Sequence, residues 1–320
     1  MPETGRLVGG PALLEIACDE SGSEGENLVG GQTDVFTHAS VALSTESAAE
    51  CVLRTHDRIG SPVQEYKANH LLRVKHRAVL EWLLEPSGPI HGNAHVQLID
   101  KTFFLIRRVV DLVAGDPGHA ATLYRDGPRA FGAERWQAFL VAANNLLRTR
   151  NRRDDGAEAN PVDVFSRAVE ALHRAAVGGP VGQAVELLRQ SGPRVTAFRQ
   201  RLGGEPILLL DPMIPAMERT IAFWSADDRP VAIVHDEQPA LTGQRVAHLK
   251  ANGRLTDLRF VDSRADPRVQ VADFLAGVAR KIASNELNGR GDAVLTALLR
   301  PYVDRRSVWG DDRSWAVLGP

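Results

Sequence analysis

The chain has 320 residues, 43% of them hydrophobic and 24% charged, with a formal net charge of −2. That length accommodates one large domain or two modest ones, and the composition is that of an ordinary globular core. The near-neutral balance argues against attachment to nucleic acid or membrane by bulk charge and leaves only a local basic groove for a polyanion. Two cysteines, Cys18 and Cys51, exclude a disulfide scaffold and a cysteine-rich zinc site, and fit a reducing, cytoplasmic setting. The N-terminal stretch has no apolar core of signal-peptide length, and no segment reaches the roughly 18 apolar residues of a membrane span, so no membrane partner is expected.

In chain order, Ala12–Cys18 is a short apolar run that stops on Asp19-Glu20-Ser21-Gly22, the pattern of a buried strand followed by a turn. Val35–Leu43 reads as a second strand, a hairpin partner of the first. Ser44 or Thr45 caps a helix over about 46–59, with Gly60 as its stop. A further helix over about 73–84 turns Leu72, His76, Val79, Leu80 and Leu83 inward and ends at Pro86. Ala94–Ile99 is a third strand, closed by Asp100 and Lys101. The order strand, strand, helix, helix, strand predicts an α/β fold, a mixed sheet covered by helices.

From Phe103 to Thr220 strand-like runs are scarce and amphipathic segments dominate, which predicts an all-helical insertion. Within it, Arg148, Arg150, Arg152 and Arg153 read as a solvated loop, with a phosphate-binding patch as the alternative. Val231–Val234 returns to strand character and ends in His235-Asp236-Glu237. A helix over Leu241–Asn252 and a short strand over Leu258–Val261 lead into the stretch Asp262–Ile282. There Val271, Phe274, Leu275, Val278 and Ile282 form one apolar stripe, and Gln270, Asp273 and Gly277 lie on a neighbouring one. The tail adds one more helix, with Trp309 and Trp315 expected as packing anchors. The domain expectation is a core of 1–102 and 221–290, an insertion of 103–220, and a tail of 291–320.

Three expected strands thus end in acids, Asp19 with Glu20, Asp100, and Asp236 with Glu237, while Asp273 sits on the closing helix. Strand ends at one edge of an open α/β sheet are where such folds place their chemistry. Carboxylates without cysteine or a histidine pair are hard oxygen ligands, suited to magnesium or manganese rather than zinc. Glu65 is the remaining ligand candidate, and in an extended segment Lys67 points to the same face; a surface ion pair is the plainer reading. Asp100 with Lys101 is either a site-edge pair or the cap of the next helix. His95 and His235 lie near strand ends and are expected in packing roles, with second-shell or general-base duty as the alternative. Ser21 and Cys18 have no base partner in view, so no covalent nucleophile is expected.

The DESG run Asp19–Gly22, the E-x-K segment at Glu65 and Lys67, the late strand-ending Asp236, and DSRADPRVQVADFLAG together resemble the family named domain of unknown function 3800. In that family the closing motif is an Asp-Ser pair, a Q-x-A-D helix start and a small-residue turn; here these are Asp262-Ser263, Gln270, Ala272-Asp273 and Ala276-Gly277. The resemblance implies a ribonuclease-H-like fold and a divalent-metal site, Mg²⁺ or Mn²⁺, held by Asp19, Glu65, Asp236 and Asp273. Lys67 joins these as a site residue, and Glu20, Ser21, Asp100 and Gln270 are secondary candidates. It spans roughly the first hundred residues and positions 230–285, and leaves the insertion and tail unexplained.

The expected activity is metal-dependent hydrolysis or related phosphoryl transfer at a phosphodiester of RNA or DNA. Arg73, Lys75, Arg107 and Arg108 are groove candidates that are equally ordinary surface cations. The competing expectation is a non-catalytic binding or assembly protein of the same fold, with the insertion as partner surface or homodimer arm. An aspartic-protease reading fails because Glu20 breaks the D-[ST]-G loop and no second such loop exists. A haloacid-dehalogenase-type phosphatase needs Asp-x-Asp after the first strand, where this chain has Ser21.

Overall fold

The computed structural model describes residues 12–60, 68–115, 118–149, 160–176, 178–202, 209–251, 253–310 and 312–320. Five strands form one mixed α/β sheet in the order β3-β2-β1-β4-β5: β1 Leu14–Ser21, β2 Val35–Val41, β3 Ala94–Asp100, β4 Val231–Asp236 and β5 Leu255–Val261. β1 pairs in parallel with β4, and β4 in parallel with β5. A strand flanked on both edges and covered on both faces reads as a continuous apolar run, and β1 is buried without alternation from Ile16 to Asp19. The edge strand β5 instead exposes Thr256, Asp257, Arg259 and Phe260. Its opening, Leu255-Thr256-Asp257, buries only Leu255, and pairing to β4 draws it in ahead of the expected start at Leu258.

The chain divides into two compact units, Met1–Glu20 with His38–Val96 and Ile214–Val278, and Ser21–Thr37 with Gln97–Met213 and Ala279–Pro320. The helical segment thus keeps company with the loop after β1 and with the tail.

In the first unit, α1 (Thr45–Ile59) starts where Ser44 Oγ accepts the Ser47 N–H at 3.1 Å and stops where Gly60 adopts φ +63°. Both caps are those expected from the sequence. Ala48, Cys51, Thr55 and Ile59 make its buried stripe. α2 (Ala68–Leu71) precedes a short 3₁₀ turn, Val74–His76, and α3 (Arg77–Leu84). The helix expected from Arg73 therefore opens as a 3₁₀ turn. α12 (Pro267–Leu287) follows a 3₁₀ turn at Ser263–Ala265, with proline at its start, where a missing N–H costs nothing. The apolar stripe is buried as expected, and Ala272, Ala276, Ala279 and Ala283 are buried too, so this helix is covered nearly all round. Arg268 clasps its start to β1, donating to Glu15 Oε1 at 2.7 Å and to Asp266 Oδ2 at 2.7 Å.

In the second unit, every described element from Lys101 to Arg201 is helical: α4 (Lys101–Val109) with a π turn over Val110–Ala114, α5 (Gly118–Phe131), α6 (Ala133–Leu147), α7 (Pro161–Ala175), α8 (Gly179–Gln190) and α9 (Gly192–Arg201). α10 (Met213–Trp224), which from Ile214 onward belongs to the first unit, leads back to β4, and α11 (Gly243–Lys250), also of the first unit, links β4 to β5. Phe131, Trp136, Phe139 and Phe165 stack through the helical core. Polar clasps hold the loop after β1. Lys101 Nζ, buried to 1% exposure, donates to Glu24 Oε2 at 2.7 Å and Thr33 Oγ1 at 2.6 Å. Asn144 reads the loop backbone at Glu26 and Leu28, and Asn288 donates to Asp34. After α13 (Ala293–Leu299), the tail lays Val308 beside Ile99, with the Asp100 N–H donating to the Val308 carbonyl at 3.0 Å. Trp309 is buried as expected, whereas Trp315, on α14 (Asp312–Leu318), stays 37% exposed.

Candidate functional site

The parallel register pairs Cys18 of β1 with His235 of β4, so the next residues, Asp19 and Asp236, leave adjacent strands at the same level. Asp19 is only 6% exposed, and its Oδ1 accepts the Glu20 N–H at 2.7 Å. Burial, then the charges of Glu20, Asp273 and Asp236, push its carboxyl up to about 9. The largest charged influences on this group are therefore all acids, which locates four carboxylates in one neighbourhood of the first unit. Asp236 Oδ1 accepts the Ser263 N–H at 3.0 Å, tying the end of β4 to the turn after β5. Asp262 caps that turn by accepting from the Arg264 N–H at 2.9 Å. The Asp262-Ser263 pair thus shapes the approach of α12, on which Asp273 is half-buried.

Glu20 has its two oxygens in different circumstances. Oε1 accepts from Gln238 Nε2, while Oε2 is buried with no hydrogen-bond partner and lies 3.8 Å from His235 Nε2. Burial pushes the Glu20 carboxyl up to about 7 against the Gln238 bond, with Asp236 adding to the rise. His235 is fully buried; burial lowers its pKa, so the 3.8 Å approach joins a carboxyl to a neutral imidazole. Its Nδ1 lies 2.9 Å from the Asp236 carbonyl. His38, which bonds Thr220 Oγ1 through Nδ1 at 2.9 Å, sits beside it with ring centroids 5.4 Å apart.

The other sequence candidates fall elsewhere. Glu65 and Lys67 lie outside the described residues. Asp100 belongs to the second unit and is the cap of α4, accepting the Phe103 N–H at 2.9 Å and the Tyr124 hydroxyl. Ser21, also in the second unit, accepts from Arg280 Nε at 2.9 Å, and Gln270 is half-buried on the first turn of α12. Arg73 and Lys75 are exposed, Arg107 approaches Asp111 at 3.7 Å, and Arg108 covers the Phe104 ring at 4.9 Å. Arg148 is half-buried, and Arg150, Arg152 and Arg153 lie outside the described residues. His95 stacks on Phe223 at 4.0 Å, a packing contact. Gln238 and the inward face of His235 escaped sequence reasoning; the only signal was a histidine directly before a strand-ending acid.

The donors of this cluster suit a hard divalent cation, and the orphaned Glu20 Oε2 is the kind of atom that such an ion would satisfy. Among the described residues, no three His, Cys, Asp or Glu side chains already sit as a ligand set. Also among them, no helix is long and apolar enough to cross a membrane. Compared with known proteins, the chain matches no family model, no curated protein and no solved structure.

Proposed function

We propose that the Asp19–Glu20–Asp236–Asp273 cluster is the divalent-cation site of a ribonuclease-H-like phosphodiester hydrolase of the domain of unknown function 3800 type. The observation that carries this reading is the buried Asp19 carboxyl, beside Asp236 at the ends of paired strands and pushed up to about 9 first by burial and then by the charges of Glu20, Asp273 and Asp236. Holding like charges together in a buried place costs free energy that a bound cation returns. Acids at the ends of neighbouring strands β1 and β4, with a third on the closing helix, also agree with the resemblance in DESG and Q-x-A-D.

In this reading Asp19, Asp236 and Asp273 hold Mg²⁺ or Mn²⁺, joined on the strength of the resemblance by Glu65, with Lys67 of the same E-x-K segment as the cation that would neutralise the scissile phosphate. When bound, the cation supplies an activated water and stabilises the leaving oxygen. The Ser263 backbone N–H fixes one oxygen of Asp236 and so aims the other. Gln238 does the same for Glu20, whose carboxyl, near 7, exchanges its proton close to neutral pH. A nucleic acid, RNA or DNA, is the proposed substrate.

The test is cleavage of labelled single-stranded RNA, single-stranded DNA and hybrid duplex with Mn²⁺, alongside calorimetric Mn²⁺ binding, for the native chain, Asp19→Asn and Asp273→Asn. Cleavage and binding lost together in both folded variants support the hydrolase. Binding without cleavage of any substrate favours the second reading, a non-catalytic ribonuclease-H-like binding protein.

A further inference from the structure

We propose that the groove between α7, α8 and α9 is a binding site for an amphipathic carboxylate, a small acid whose apolar body fills the groove and whose head group is held by Arg167 and Arg174. The groove lies wholly within the second unit, and the proposal does not depend on the cation reading above.

The way the helices are joined leaves the space open. One residue, Ser191, separates α8 from α9, and its Oγ donates to the Leu188 carbonyl at 2.6 Å, closing the end of α8. α9 then starts on Gly192, where a Cβ would meet no atom within 4 Å. The corner of the three helices thus lacks the side chain that would close it, and a cavity of about 490 Å³ remains. Small-molecule sites fall in the range of roughly 300–1,000 Å³, with mostly apolar walls and a few polar groups that orient the ligand.

Floor and mouth differ in kind. Phe165 and Val169 of α7, Leu188 of α8 and Val195 of α9 make an apolar floor. The mouth carries three arginines, Arg167, Arg174 and Arg189, against one acid, Glu170. Arg189 is engaged by Glu186, at 2.7 Å through both Nε and Nη2. Arg174 donates through Nε to the Glu170 carbonyl at 3.4 Å, and Arg167 has no hydrogen-bond or ion-pair partner among the described residues. Glu170 offsets one of these two cations, so the mouth keeps an excess of positive charge over an apolar floor. The matching ligand is apolar at one end and anionic at the other. A guanidinium presents two parallel N–H groups that fit the two oxygens of a carboxylate.

A small molecule fits better than a membrane surface. A face that enters a bilayer turns large apolar side chains outward, whereas among the described residues of α7, α8 and α9 no large hydrophobic side chain is exposed.

The experiment is titration calorimetry of the full chain with octanoate as the probe and octanol as its uncharged counterpart. Octanoate should bind once per chain and at least about tenfold more tightly than octanol, the difference that charge-assisted bonds to arginine supply. Added salt should weaken octanoate binding and leave octanol binding unchanged. Arg167→Gln combined with Arg174→Gln should remove the preference for octanoate, and Gly192→Phe, which puts a ring into the cavity, should abolish binding of both. No octanoate binding, equal affinity for octanoate and octanol, or octanoate binding unaltered by Gly192→Phe overturns the proposal. Binding to phosphatidylserine vesicles without binding to octanoate overturns it in favour of a membrane surface. If Gly192→Phe does not fold, the paired arginine variant, changed only at exposed side chains, decides in its place.

Discussion

Asp19→Asn should make the metal-free protein more stable, not less, at neutral pH. The folded carboxyl is held at about 9, first by burial and then by Glu20, Asp273 and Asp236, against 3.8 for an ordinary aspartate. Between those limits the folded chain binds a proton that the unfolded chain releases. The raised folded value therefore means that stability falls as pH rises through the window, by up to about 1.4 kcal/mol per pH unit. At pH 7 the unfolded state of the native chain has gained about 4 kcal/mol from ionising this one group. Asparagine cannot ionise, keeps an oxygen to accept the Glu20 N–H, and nearly preserves volume. Urea unfolding in EDTA at several values between pH 5 and pH 8.5 reads the difference, which should widen steadily with pH. Saturating Mn²⁺ should reverse the order, since only the native chain holds the ion. A variant less stable than native protein at pH 7 in EDTA, or a difference flat in pH, would refute the claim that Asp19 is a strained acid awaiting a cation.

Glu24→Ala should cost about 3 kcal/mol, because it leaves the Lys101 ammonium buried with Thr33 as its remaining bonded partner. Adding Lys101→Met should recover much of that loss in thermal melts. Gly22→Ala should destabilise by at least about 2 kcal/mol, since Gly22 holds φ +84° and a Cβ there would stand 2.3 Å from the Val35 carbonyl. A melting temperature within a degree of native would contradict it. Asp100→Ala should cost about 1 kcal/mol through loss of the α4 cap. Burial raises the Asp100 carboxyl to about 6, so its contribution falls as pH rises from about 4 to about 6. The native-minus-variant stability difference should therefore shrink across that interval.

Much of the fold was legible because its signals are local. The Ser44 and Gly60 caps, the buried runs of β1 and β4, the helical periodicity after residue 103 and the stripe of α12 each depend on residues within a few positions. Strand β5 was seen only in its second half, because its opening buries Leu255 alone and so offers no apolar run. The acids were legible as strand-ending residues, but not their separate fates. Asp100 and Asp19 end apolar runs in the same way, yet one caps a helix with Phe103 and Tyr124 while the other faces acids.

By itself the sequence determined the α/β class, the order of elements and the residue types available for an oxygen-rich site, since backbone periodicity and capping are short-range. The tertiary structure alone decided that β1 lies beside β4, more than two hundred residues away in the chain, and so brought Asp19 level with Asp236. It also decided that a histidine expected as packing turns a bare nitrogen toward Glu20. Strand pairing and burial depend on what the rest of the chain places alongside, and they set both which acids meet and how far water is kept from them.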